Sequence, residues 1–148
     1  MTAIIETIEV DRAPEDVFSY VTDPSRFGEW QQGVVDGHME GNGQTAVGTR
    51  CVTTRRIGLA ERSVTAEVTK FEPPRTWAVH GIEGPIRATV NVGVEPLDQR
   101  ARSRVTIDID FEGHGIGKLL VPLVVRRGAQ KEMPENLRRL KQRLESDA

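Results

Sequence analysis

Two short helices set directly behind a first strand restrict what this chain can become more than any other feature. Ile4, Thr7 and Glu9 interleave with Ile5, Ile8 and Val10 on a rough two-residue beat, which fits a strand. Ala13-Pro14-Glu15-Asp16 then carries the marks of a helix start. The proline suits the first helical position, and the two acids sit where orphan N–H groups and the positive dipole end favour them. Val17, Phe18 and Val21 follow at helical spacing. Asp23-Pro24 repeats the start signal and opens a further turn ending at Gly28, with Trp30 close behind. Such a pair forms a V-shaped platform under a sheet rather than a crossover between parallel strands.

After Trp30 the pattern turns to strands separated by turn residues. Val34 to Met39, Thr49 to Arg56, Arg62 to Phe71 and Thr76 to His80 read as strands. Gly41-Asn42-Gly43, Gly58, Pro73-Pro74 and Gly84-Pro85 punctuate them. Arg87 to Glu95 places Ala88, Val90, Val92 and Val94 on one face, and Pro96 to Arg100 forms the next hairpin. Arg104 to Glu112 gives the cleanest beat, with Val105, Ile107, Ile109 and Phe111 against Thr106, Asp108, Asp110 and Glu112. One buried face and one wet face is the habit of an antiparallel sheet.

From Ile116 the period becomes helical: Leu119, Leu120, Leu123, Gln130, Met133, Leu137, Leu140 and Leu144 recur three or four apart. Pro122 and Pro134 lie inside this run and each should bend it. A long bent helix after an antiparallel sheet packs across the apolar face of that sheet. A sheet of about seven strands curled around one helix and propped by two short ones need not close tightly. Ala66, Ala88 and Gly93 are small at positions expected to face inward. The run Leu119 to Val125 carries more apolar surface than a one-faced helix needs, which suits a cavity mouth, simple packing or a homodimer contact.

Composition removes several function classes. With 148 residues and no repeat or linker, residues 1–148 read as one domain able to bury a core. A formal charge of -2 argues against a nucleic-acid binder held by a basic surface. Arg126, Arg127, Lys131, Arg138, Arg139, Lys141 and Arg143 are interspersed with Glu132, Glu135 and Glu145, the pattern of a solvated helix face. Cys51 is the single cysteine, which excludes an internal disulfide and a multi-cysteine metal site. The N-terminus lacks the pattern of a signal peptide, and the longest apolar run falls far short of the ~20 residues of a membrane span. A soluble, cytoplasmic protein without an integral membrane segment is expected.

Four segments in order carry a family resemblance: APEDVFSYVTDPSRFGEW at 13–30, VGTR at 47–50, VTKFEPPRTW at 68–77 and NLRRLKQRLE at 136–145. Over nearly its whole length the chain resembles the START-like helix-grip superfamily, and within it the polyketide cyclase/dehydrase (SRPBCC) family of small bacterial proteins. The resemblance implies an α+β fold of β-α-α-β6-α order, in which a curved antiparallel sheet surrounds a long C-terminal helix over an internal cavity. It also implies a hydrophobic ligand such as a lipid, hormone or polyketide, with cyclisation or dehydration in some members. What lines the cavity decides the chemistry.

Candidate side chains follow. Trp30 either anchors the short helices or meets a ligand, and Trp77 should face inward with Val79. In strand 49–56 one frame turns Cys51, Thr53 and Arg55 inward, and the other turns Arg50, Val52, Thr54 and Arg56. Either brings an arginine to the cavity or its rim, where it reaches solvent or grips a ligand oxygen. Val68, Val90, Ile107 and Leu120 complete the expected ligand-binding set. His114, at the strand-to-helix junction, is with Arg55 the candidate for catalysis, although an exposed loop histidine is the simpler reading. His38, His80 and His114 lack ligand spacing, so no metal site is expected, and Gly113-His-Gly-Ile-Gly-Lys118 fits neither phosphate-loop pattern. Cys51 reads as an inert thiol, and no cofactor is expected. The gate should form from loops 38–48 and 81–86 and the start of the last helix. Three functions fit: binding of a small hydrophobic or amphipathic ligand, an aromatase, cyclase or dehydratase working in the same cavity, and a protein-interaction module without ligand.

Overall fold

A computed structural model describes residues 4–41, 44–57, 59–83 and 86–146; within these the side chains at 57, 120, 123 and 124 are not described. Asn42-Gly43, Gly58 and Gly84-Pro85, expected in turns, lie outside the described residues. The alternating stretches become seven strands: β1 (Ile4–Val10), β2 (Val34–Met39), β3 (Arg50–Ile57), β4 (Ala60–Glu72), β5 (Thr76–Glu83), β6 (Ile86–Leu97) and β7 (Arg102–Gly113). They form one antiparallel sheet in the order β1-β7-β6-β5-β4-β3-β2. Register shifts in the β2–β3 ladder and twice in the β4–β5 ladder add local twist, which curls the sheet. The strand expected to end at His80 runs on to Glu83, and β6 keeps its ladder through Pro96, paired with Ser103.

The two short helices are α1 (Pro14–Val21) and α2 (Phe27–Trp30), with a 3-10 turn at Pro24–Arg26 before α2. Asp23 caps that turn by accepting from the Ser25 N–H at 3.0 Å. The turn packs closely on β2, because a Cβ at Gly37 would collide with the Pro24 carbonyl oxygen. Val17, Phe18 and Val21 of α1 are buried, and Phe18 packs on Phe71 of β4 at 5.8 Å.

The C-terminal run divides into α3 (Gly117–Leu120), a π-helical stretch Val121–Val125 and α4 (Arg126–Ser146). Pro122 therefore falls where the hydrogen-bond ladder widens to the next residue, and Pro134 is accommodated inside α4. Met133, Leu137, Leu140 and Leu144 of α4 form one buried stripe against the sheet. Val92 and Val94 of β6 are buried on the concave face, which puts Gly93 on the opposite face and corrects its expected inward position.

The far end of α4 is tied tightly to the first strand. The Arg12 guanidinium donates to the Leu144 carbonyl at 2.6 Å, and Lys141 Nζ donates to the Glu9 carbonyl at 3.0 Å. Glu145 accepts from Lys141 at 2.6 Å and from the Asp11 N–H at 2.9 Å. At the near end, Arg126 reaches Asp110 of β7 at 2.5 Å.

Candidate functional site: a cavity between sheet and helix

The curl of the sheet leaves a cavity of about 290 Å³ beneath α4, at the lower end of the roughly 300–1,000 Å³ typical of ligand sites. Alternate residues of the central strands make its floor: Ala88, Val90 and Val92 from β6, and Ile107, Ile109 and Phe111 from β7. Its roof is a helical stripe of Val125, Gly128, Ala129, Glu132, Met133 and Asn136. A Cβ built on Gly128 would meet nothing within 4 Å, so the roof is open there because the residue has no side chain. Phe27 and Trp30 of α2 close one end, with Trp77 of β5 beside them. The Phe27 ring meets both indoles edge to face, at 6.0 and 6.3 Å between centroids.

The short helices thus stop the sheet from collapsing on α4. The exposed Gly33 and Arg56 mark the rim.

Pairing with β4 fixes the frame of β3, since Cys51 stands opposite Ala66 and Thr53 opposite Val64, both on the cavity side. Cys51, Thr53 and Arg55 consequently face the cavity. Arg55 donates from Nε to Thr53 Oγ1 at 3.2 Å and from its terminal nitrogen to Gln31 Oε1 at 3.3 Å. Among the described residues no carboxylate pairs with it. Burial pushes its pKa below the ordinary guanidinium value, with Cys51 pulling weakly the other way. Burial likewise raises the Cys51 thiol to about 11, against a smaller pull from Arg55, so the sulfur is a neutral thiol near pH 7.

Next to Gln31, the Gln32 N–H donates to Asn136 Oδ1 at 3.1 Å, and Glu132 lies one turn earlier on the same face of α4. A polar corner results, with Arg55 on the sheet side, Glu132 and Asn136 on the helix side, and residues 31–32 between. The indole N–H groups of Trp30 and Trp77 are buried and have no acceptor among the described residues. Each such orphan costs about 1–3 kcal/mol when nothing accepts from it.

Of the side chains expected at the site, Trp30, Cys51, Thr53, Arg55, Trp77, Val90 and Ile107 share this one wall. Val68 does not: it is fully buried in the core, where β4 runs toward the contact between Phe71 and Phe18. The side chain of Leu120 lies outside the described residues. His114 is off the wall, beyond the end of β7, with Nε2 3.0 Å from Glu112 Oε1. The described residues of loop 38–48 also stay off the wall, whereas Gly81 and Ile86 are on it. Gln31, Gln32, Gly128, Glu132 and Asn136 are wall residues that the sequence did not single out. The three- and four-residue spacing of the roof stripe was the available signal.

A curved antiparallel sheet gripping a C-terminal helix over an internal cavity is the fold of START-type proteins. The chain belongs to the family described as polyketide cyclase / dehydrase and lipid transport, whose model matches residues 1–145. Among solved structures it is similar to a START superfamily protein from Mycobacterium smegmatis, at 14% identity over 100% of both chains with a TM-score of 0.80. It is also similar to a protein from Thermus thermophilus, at 16% identity, 99% of both chains and a TM-score of 0.77. The Zhui aromatase/cyclase from Streptomyces sp. R1128 gives 14% identity over 97% of this chain and 93% of that one, with a TM-score of 0.74. At these identities the likeness is one of fold. No curated protein matches the chain. Among the described residues no helix is long and apolar enough to cross a membrane.

Proposed function

We propose that the chain binds a small hydrophobic or amphipathic molecule, lipid-like or polyketide-like, between the sheet and α4. The observation that carries this reading is Arg55, a guanidinium in the wall of a mostly apolar cavity with no carboxylate among the described residues to neutralise it. Arg55 is half-buried, and keeping such a charge largely away from water is costly unless something pairs with it. A ligand carboxylate, phenolate or ketone oxygen supplies that partner, while the valines, isoleucines and aromatic rings take its apolar body.

The test is built into the chain, because both of its tryptophans, Trp30 and Trp77, line the cavity. Titration with 2-naphthoate should change their emission and saturate. Arg55→Met should weaken binding tenfold or more, since a charge-assisted hydrogen bond is lost. Equal affinity in the variant rules out the role given to Arg55. Absence of any saturable change in the wild type removes the ligand reading and leaves the protein-interaction module.

A second reading is an aromatase, cyclase or dehydratase acting on a polyketide-type substrate in the same cavity. It is favoured by Glu132, a carboxylate that lines the same cavity from the helix side, across from Arg55, since proton transfer and stabilisation of a developing oxyanion need such a pair. Incubation with a poly-ketone chain and mass analysis for loss of water tests it. Cytoplasmic residence and a homodimer formed over the exposed Ile116 and Leu119 belong to the same proposal, to be checked by fractionation and light scattering.

A further inference from the structure

We propose that Glu132 is a second polar anchor of the cavity, so that the ligand carries a hydrogen-bond donor, a hydroxyl or an amine, as well as the acceptor that Arg55 takes. The inference rests on the ligand-binding reading above and narrows its ligand class. Glu132 is exposed in part, yet it stands on the roof stripe with Met133 and Asn136 rather than on the wet face of α4. Its carboxylate makes no ion pair or hydrogen bond with any other described residue. Arg55 has the same character on the opposite wall, held only by Thr53 and Gln31.

The two charges belong to one corner. Gln31 touches Arg55, its neighbour Gln32 is bonded to Asn136, and Asn136 follows Glu132 by one helical turn. Yet the two do not meet, because no ion pair within 4.0 Å links them. A cation on the sheet side and an anion on the helix side of one cavity, with no ion pair between them, can both be answered by a single ligand. An acceptor turned to Arg55 and a donor turned to Glu132 satisfy both, whereas a simple fatty acid answers the first and meets repulsion from the second.

The experiment compares 2-naphthoate with its 1-, 3- and 6-hydroxy derivatives by calorimetric titration. At least one hydroxylated isomer should bind wild type about tenfold tighter than the parent acid, the worth of a hydrogen bond to a charged group. Glu132→Ala should erase that advantage. Glu132→Gln, which keeps an acceptor oxygen without the charge, should keep part of it. Circular dichroism of both variants confirms that each is folded. The proposal is overturned if no isomer gains, or if the gain persists in Glu132→Ala. Failure of 2-naphthoate to bind wild type would bring down the ligand reading and this inference together, whereas binding without discrimination brings down this inference alone.

Discussion

Gly128 offers the sharpest test of whether the cavity is a functional space or a packing defect. It sits in α4, where glycine costs roughly 0.5–1 kcal/mol relative to alanine through the freedom lost on folding. A Cβ at that position meets nothing within 4 Å, so Gly128→Ala introduces no clash and should recover that amount. For a chain of this length the melting temperature should rise by about 1–4 °C. Gly128→Leu goes further. A leucine side chain projecting from the roof would take up a substantial part of this cavity. It should also bury apolar carbons and therefore hold or raise stability, while 2-naphthoate binding falls at least tenfold. Differential scanning calorimetry and tryptophan titration measure the two quantities on the same sample. If Gly128→Leu binds the probe as wild type does, ligands do not occupy this cavity. If Gly128→Ala melts lower, the roof is not open as described.

The remaining predictions concern charge and access. Asp110 is held below the usual carboxylate range by Arg126, helped by the Phe111 N–H, and Glu145 by Lys141, helped by the Asp11 N–H. Their stabilisation is complete above the unfolded values of roughly 3.9–4.3 and is lost as pH falls through the lower folded values. Melting temperature should therefore change little through these groups between pH 7 and pH 5 and drop below about pH 4; a drop centred above pH 6 would refute this assignment. Asp110→Asn should flatten part of the acid slope and speed ligand exchange by weakening the tie between α4 and β7 at the cavity end, measurable by stopped-flow fluorescence. Cys51, with its thiol near 11 and its side chain buried, should resist a thiol reagent at pH 8 in the native protein and react fully once unfolded. Rapid native labelling would contradict both the burial and the raised pKa.

Strand and helix order was legible because the beats are strong: Val105, Ile107, Ile109 and Phe111 can only line one face of a strand. Strand 49–56 resisted for the opposite reason. Arginine and threonine occupy both of its faces, so no apolar alternation sets the frame, and only the register of Cys51 and Thr53 against Ala66 and Val64 decides it. Glu132 was hidden among the charges of α4. Which of them turns inward depends on the rotation of the helix, which the buried stripe of Met133, Leu137 and Leu140 and the π-helical stretch before it fix together. Gly93 misled because smallness says nothing about facing; its buried neighbours Val92 and Val94 do.

The unequal fastening of α4 has a kinetic consequence. Among the described residues, its last turns are bonded to the first strand and to the chain behind it, while its first turn carries the Arg126–Asp110 bridge after a π-helical stretch. Fraying from the Arg126 end costs less than unravelling the whole chain, and it uncovers the cavity roof first. Residence time of a bound molecule and global stability become separately tunable: changes near Asp110 set how long the molecule stays, and changes near Leu144 set how long the fold survives.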